Sequence, residues 1–460
     1  MDNSTRYTGL MGLALALMFS LPSAHATVDG ITGPVFNLTA KVDSISTADG
    51  GSLLIWGYSD DDNKAGFGTR AQYPGPTLIV NQGDTVTINL KNSLSVSAGT
   101  VPPVSMVFPG QQVTAACTTS GTDGCPDGLL TMEAENDGDV VSYTFVASQP
   151  GTYAYYSGTD QALQVEMGLT GALIVRPSVS GQAYSHADSA YDYEYLFFVT
   201  EMDPRIHYAV AASGPAATEL DAFFDNYRPN YWFFNGRTAP DNFNESYISW
   251  LPTQPYNLVP RMHPGDRLLM RVVNGGRDTH PFHHHGNHSR IIARDGRMLS
   301  SVPGVSGADI STKVYTIPMV PGETVDAIFE WTGKGLNWDI YGGTDVNLPH
   351  TCNGKPVGVD QDPGAPEFDP VTREYCADHG KPFPVVLPEQ LDLGFGGWWG
   401  GSPYLGLPGS LPPGEGGLNP NGAFIYMWHS HTERELTNYD IFPGGMLTML
   451  VIEAPGVPID

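Results

Sequence analysis

The sequence predicts an all-β protein built as two Greek-key β-sandwich domains, the second carrying a long loop insertion. Three observations lead there. Short β-branched and aromatic runs are separated by turn formers, with 54 Gly and 38 Pro among 460 residues. Charged residues make up only 15% against 41% hydrophobic and 11% aromatic, a composition that buries a core and excludes a disordered chain. One β-rich pattern also occurs twice along the chain, as an internal duplication would leave it.

Taken in order, residues 1–26 read as a targeting segment. Arg6 precedes an apolar run from Gly9 to Leu21, and Ala24-His25-Ala26 fits small-residue cleavage. The run is too short to span a bilayer, so it predicts a signal peptide cleaved near Ala26 and a secreted or periplasmic protein. The first domain is expected over 27–178. Pro76-Thr77-Leu78-Ile79-Val80, the turn at Gly83-Asp84 and the alternating run Thr85–Leu90 read as strand, tight turn, strand. Gly151–Tyr156 and Gly171–Val175 close it. After a polar stretch from Pro177 to Ala190, the second domain is expected over 190–460 and repeats the plan. Leu258-Val259 and Arg267–Val273 flank Gly265-Asp266, and Ala423–His431 with Met449–Ile452 end it. The segment 343–421, rich in Gly, Pro and Trp, interrupts this copy and is expected as a surface loop. Asn235-Gly236, after Tyr231-Trp232-Phe233-Phe234, reads as a hairpin turn.

Charge and cysteines exclude several functions. Twenty-two basic against 49 acidic residues give −27, which repels nucleic acid and anionic membrane surfaces. No later stretch predicts a membrane span. Cys117 and Cys125 are read as one local disulfide and Cys352 and Cys376 as another, although four cysteines allow three pairings. No tight CxxC pair, nucleophile elbow or Gly-rich phosphate loop is present. Asp60-Asp61-Asp62 and Asp360-Gln361-Asp362 lack the spacing of an oxygen cage and read as solvated loops.

The thirteen histidines are unevenly placed. Two short motifs hold the informative ones, His280-Pro281-Phe282-His283-His284-His285-Gly286 and His429-Ser430-His431. On a strand, residues two apart share a face, so His283 with His285, and His429 with His431, each present two imidazoles to one side while His284 faces the other. Converging imidazoles suit Cu, Zn, Fe or Ni. Ordinary imidazoles would lose such a metal as the pH falls through about 6. His186, His207, His263, His288, His350 and His379 stand in no motif.

These motifs resemble those of the multicopper oxidases, whose C-terminal cupredoxin domain carries H-P-x-H-x-H-G and, further on, H-C-H followed by G-M. The resemblance runs from about Gly33 to Ala454 and implies two cupredoxin-like domains. It implies His280 and Met446 as ligands of a type 1 (blue) copper. His283 would serve a type 2 copper, and His285, His429 and His431 a type 3 pair. The departures are as informative. Ser430 stands at the blue-copper cysteine, and Glu435 at that site's second histidine. Val107-Phe108-Pro109-Gly110 and Tyr156-Ser157-Gly158 replace the two histidine motifs of the family's first domain. A serine hydroxyl cannot replace a soft thiolate, so fewer than four coppers and no laccase-like relay are expected.

The sequence thus predicts a secreted copper-binding oxidoreductase with a reduced copper site, acting on a small-molecule or metal-ion substrate and compatible with a homo-oligomer. A copper-handling protein without turnover and a non-catalytic cupredoxin scaffold stay open as alternatives. Glu433 and Glu435 are expected as solvated carboxylates, and Tyr155, Tyr156 and Trp428 as core aromatics.

Overall fold

A computed structural model of the chain describes residues 28–96, 99–119, 125–335, 351–356, 359, 361–379, 423–453 and 455–459. The targeting segment and most of the 343–421 insertion lie outside the described residues.

The first half forms two sheets. Its strands are β1 (Ile31–Thr32), β2 (Val35–Ser46), β3 (Ser52–Asp60), β4 (Leu78–Asn81), β5 (Thr85–Ser93), β6 (Thr114–Cys117), β7 (Val140–Val146), β8 (Gly151–Tyr156) and, after helix α1 (Gln161–Glu166), β9 (Thr170–Arg176). One sheet runs β3-β2-β5-β7-β6 and the other β1-β4-β9-β8. In β5 the side chains at Val86, Ile88 and Leu90 are buried while Thr85 and Lys91 are exposed, because a strand with one face on the core turns every second residue inward. They pack with Phe36, Leu38, Trp56, Tyr143 and Phe145 in the first core.

The second half repeats the scheme. Its elements are β10 (Tyr193–Met202), α2 (Pro204–Ser213), α3 (Leu220–Asp225), β11 (Tyr231–Phe234), β12 (Arg261–Met262), β13 (Arg267–Asn274), β14 (His280–His284), β15 (Ser289–Arg294), β16 (Arg297–Met298), β17 (Thr312–Val314), β18 (Thr316–Met319), β19 (Thr324–Glu330), β20 (Thr351–Cys352), β21 (Lys355–Pro356), β22 (Phe424–Ser430) and β23 (Leu447–Ile452). One sheet runs β11-β10-β13-β19-β15-β16, with β17 on β15, and the other β12-β23-β22-β14-β18. The pairing itself is duplicated. β2 runs parallel to β5 as β10 does to β13, and β5 pairs antiparallel with β7 as β13 does with β19. The β8–β9 hairpin, parallel to β4, has its counterpart in the β22–β23 hairpin, parallel to β12. The fold is therefore two cupredoxin-like Greek-key sandwiches.

Helices α2 and α3 leave the second half. Ile206, Ala209, Val210 and Leu220 join the first core rather than the second. The halves are also tied by buried charge. The Arg271 guanidinium donates to Glu194 Oε2 at 2.8 Å and to Thr152 Oγ1 at 2.9 Å, and Thr152 donates to Asp326 Oδ1 at 2.6 Å. Arg271 and Glu194 are fully buried, and Glu194 also pairs with Arg176 while Arg271 lies 3.8 Å from Asp326, so the charges compensate one another in a dry interior. The predicted turn at Asn235-Gly236 is present, with φ +52° and +80°. A Cβ at Gly236 would meet Tyr73 O at 2.0 Å, so the turn needs glycine for space as well as for conformation. Both disulfides form, Cys117–Cys125 and Cys352–Cys376. Tyr155 and Trp428 are fully buried, and Tyr156 is half-buried.

Candidate metal centre

Strand β14 lies between β18 and β22, and this register assembles the site. His283 is paired across the ladder with His429 on one side and Thr316 on the other. Alternation along each strand then brings in the neighbours two residues away. The ring of His283 lies 4.6 Å from that of His285, 5.5 Å from His429 and 4.9 Å from His431, centroid to centroid. Hydrogen bonds to their own backbone groups hold the two outer residues after their strands end. His431 N donates to Pro281 O at 2.8 Å, and Trp428 Nε1 donates to His285 O at 2.8 Å. The four imidazoles are thus brought together from two segments about 150 residues apart. One nitrogen from each of His283, His285 and His429 lies within 4.8 Å of the others.

Orientation is set by second partners. His283 Nδ1 lies 2.9 Å from Thr316 Oγ1, and His429 Nδ1 donates to Ser430 O at 2.6 Å, which leaves Nε2 of each ring for a ligand. His285 Nδ1 is buried without a hydrogen-bond partner. Burial, then the neighbouring imidazoles, push His283 down to about 3 and His285 to about 4, and burial lowers His429 too. These three rings therefore favour the neutral form, the state that metal ligation requires. Neutral imidazoles, convergent and with one nitrogen orphaned, fit a transition metal of the copper class. His431 is exposed and Tyr315, 43% exposed, stands edge-on to His283 at 5.7 Å, so the cluster opens to solvent.

His284 points the other way, as alternation requires. It is fully buried beside Trp428 and Phe329, and its Nε2 accepts from Ser289 N.

His280 stands apart from the four. It is fully buried, with Nδ1 2.9 Å from Glu435 Oε2 and Nε2 2.9 Å from Glu201 Oε2. Ser430 Oγ donates to the same Glu435 oxygen at 2.5 Å. Met446 is buried next to this group, its N donating to Glu435 O and its O accepting from Ser430 N, and not among the four imidazoles. The position that the resemblance gives to blue copper thus offers a hydroxyl already bonded to a carboxylate and an imidazole engaged at both nitrogens. That donor set does not fit a blue copper ion. Glu433 is exposed, but Glu435 is only 6% exposed, and the expectation of a solvated carboxylate is corrected there. It is drawn inward because His280 and Ser430 give a buried carboxylate its partners. Glu201 carried no signal in the sequence, being 79 residues from His280 and in no motif.

In the first half, Val107 and Tyr156 exchange backbone bonds at 2.8 and 3.2 Å, so the two positions that carry histidine motifs in the resembled family lie side by side without one. Of the remaining described histidines, His288 is exposed and stands edge-on to Tyr315 at 5.0 Å, and others are engaged elsewhere. His207 Nδ1 lies 2.6 Å from Leu54 O, His263 Nδ1 3.0 Å from Asp266 Oδ2, and His186 caps a short turn. Cys352 and Cys376 also lie near Asp369, Glu374 and His379, but their sulfurs are joined in the disulfide and cannot ligate.

Comparison with known proteins places this geometry. The family model described as multicopper oxidase matches residues 56–180. An iron transport multicopper oxidase of Epichloe festucae is 28% identical over 231 residues, 50% of this chain and 31% of that protein. Copper resistance protein A of Escherichia coli is 32% identical over 133 residues, 28% of this chain and 18% of its own. An L-ascorbate oxidase of Cucurbita maxima is 29% identical over 135 residues, 29% of this chain and 21% of its own. The matches span less than a third of the length of these relatives. Among solved structures, a blue copper oxidase from Nitrosomonas europaea superposes with a TM-score of 0.51 at 18% identity, covering 92% of this chain and 86% of that one, which shows a shared fold. The family model falls on the first half and the histidine motifs on the second, and together with the duplicated sandwich they make the chain similar to the multicopper oxidase family in both halves.

Proposed function

We propose that the protein is a copper oxidoreductase, secreted or periplasmic after removal of residues 1–26, whose copper is held by His283, His285, His429 and His431 in a site smaller than the family's four-copper set. The observation that carries this reading is the convergence of four imidazoles on one face of the β14–β22 pair. Bound copper would supply a Lewis-acid and one-electron redox centre. The chain's own contribution is to hold His283, His285 and His429 neutral, orient His283 through Thr316 and His429 through Ser430 O, and leave an open face beside His431 and Tyr315. His280 and Met446 are read as non-ligands. With no thiolate at residue 430 to pass electrons inward, a small-molecule or metal-ion donor must meet the imidazole face itself. Among the described residues no helix is long and apolar enough to cross a membrane.

A second reading, copper handling without turnover, is favoured by the same loss of an electron-entry centre. Purified protein loaded with Cu(II) decides between them. The oxidoreductase reading expects oxygen uptake with a phenol, Cu(I) or Mn(II) as donor, abolished in H283A/H429A. Copper bound without oxygen uptake would support the second reading, and absence of bound copper would overturn both.

A further inference from the structure

We propose that Glu201, His280 and Glu435 form a charged buttress that positions the two imidazole-bearing segments from behind, at the place where the family resemblance puts a type 1 copper. This rests on the reading of the four imidazoles as copper ligands.

The hydrogen bonds define the charge. A neutral imidazole carries one N–H and cannot donate to two carboxylates at once. His280 has a carboxyl oxygen 2.9 Å from each ring nitrogen, so with both glutamates ionised the two contacts are hydrogen bonds only if the ring is an imidazolium. Burial opposes that charge, but the bonds to Glu201 and Glu435 overcome it and raise His280 to about 10. The other charged side chains facing the group are Asp278 and Arg277. Asp278 is itself pushed up, by burial and then by Glu201.

Each carboxylate also grips a segment that carries ligands. Glu201 Oε1 accepts from Arg277 N at 2.7 Å and Asp278 N at 3.0 Å, closing the turn that leads into β14. Glu435 Oε2 accepts from Ser430 Oγ, and Thr432 N donates to Ser430 Oγ at 3.3 Å. Ser430 lies between His429 and His431, so its side chain projects to the face opposite theirs. Fixing Ser430 by its hydroxyl therefore sets the direction of the imidazoles on both sides of it. Glu201, His280, Glu435 and Ser430 are positioning residues. They touch no ligand atom of the open face, and with both its nitrogens engaged the His280 ring leaves no donor for an ion.

The test uses the full chain, metal-free and titrated with Cu(II). E435Q and E201Q keep the shape and remove one charge each. We expect Cu(II) affinity to fall 10–100-fold in either variant, as loss of an outer partner to a metal site does. In the metal-free protein the imidazole nitrogen resonances of His429 and His431 should move. Should the charge variants fail to fold, S430A against S430T decides the matter. S430A should lose about fivefold in affinity, the worth of one hydrogen bond, and S430T should restore it. Affinities within twofold of wild type, with His429 and His431 resonances unmoved, would overturn the proposal. If wild type itself binds no Cu(II), the copper reading fails, while the metal-free resonances still judge the buttress.

Discussion

His283 and His429 are direct cross-strand partners on β14 and β22, and their ring centroids lie 5.5 Å apart. A register shift of one residue in either strand would turn one imidazole into the core, because strand side chains alternate between faces. The metal centre is thus as stable as the ladder that carries it. Phe282, Trp428 and Ile317 on the buried face of the same sheet, all fully buried, hold that ladder in place.

The ligand assignment can be tested by separating the two histidine groups. H429A/H431A should abolish tight copper binding, a loss of roughly a thousandfold or more for two imidazoles. The fold should survive, since neither side chain belongs to the apolar core. H280Q should weaken binding less than the double variant. Calorimetric titration of Cu(II) into each protein gives the order directly, and an H280Q loss exceeding that of the double variant would move the metal to the blue-copper position.

Colour provides an independent check. With Ser430 bonded to Glu435, copper-loaded protein should lack the intense thiolate-to-copper absorption near ~600 nm. A visible spectrum of the loaded protein, with spin resonance of the same sample, reads this out. The S430C variant alone should not restore the band, because His280 and Glu435 still bond each other.

Alkaline stability should report on His280. Its folded value of about 10 lies above the ordinary 6.5, so the native state binds the extra proton between those values. The stabilisation is therefore complete below about pH 6.5 and is lost as the pH rises through about 10. Urea unfolding at pH 7 and pH 10 should differ by roughly 2–4 kcal/mol, and H280Q should flatten that dependence.

Acid should act in the opposite sense on the cluster. His283 and His285, lowered to about 3 and 4, take up protons more readily unfolded than folded, so metal-free protein should lose stability as the pH falls below 6.5. The same lowering corrects the expectation that metal would leave near pH 6. Because protons compete poorly for these rings, bound copper should be retained at pH 6 and released as the pH approaches 4, which dialysis with metal analysis across that range will measure.

Much of this was legible from local spacing. The period of two told which of His283, His284 and His285 share a face, and the repeated strand–turn–strand units announced two sandwiches, because both are properties of a few consecutive residues. Gly265 with Asp266 and Asn235 with Gly236 marked turns for the same reason. The departures at Ser430 and Glu435 were also visible as substitutions, and they alone determined that no blue-copper thiolate exists. What replaced it was not visible. Only packing brought Glu201, from the end of β10, against a histidine 79 residues away, and only packing turned Glu435 from an expected surface carboxylate into a buried partner. A carboxylate's place depends on whether a cation and a donor wait for it in the interior, and that is decided by contacts distant in the chain. The convergence of the two histidine motifs was decided likewise, by the β14–β22 register, since the spacing within each motif sets a face but only the ladder sets one face against another.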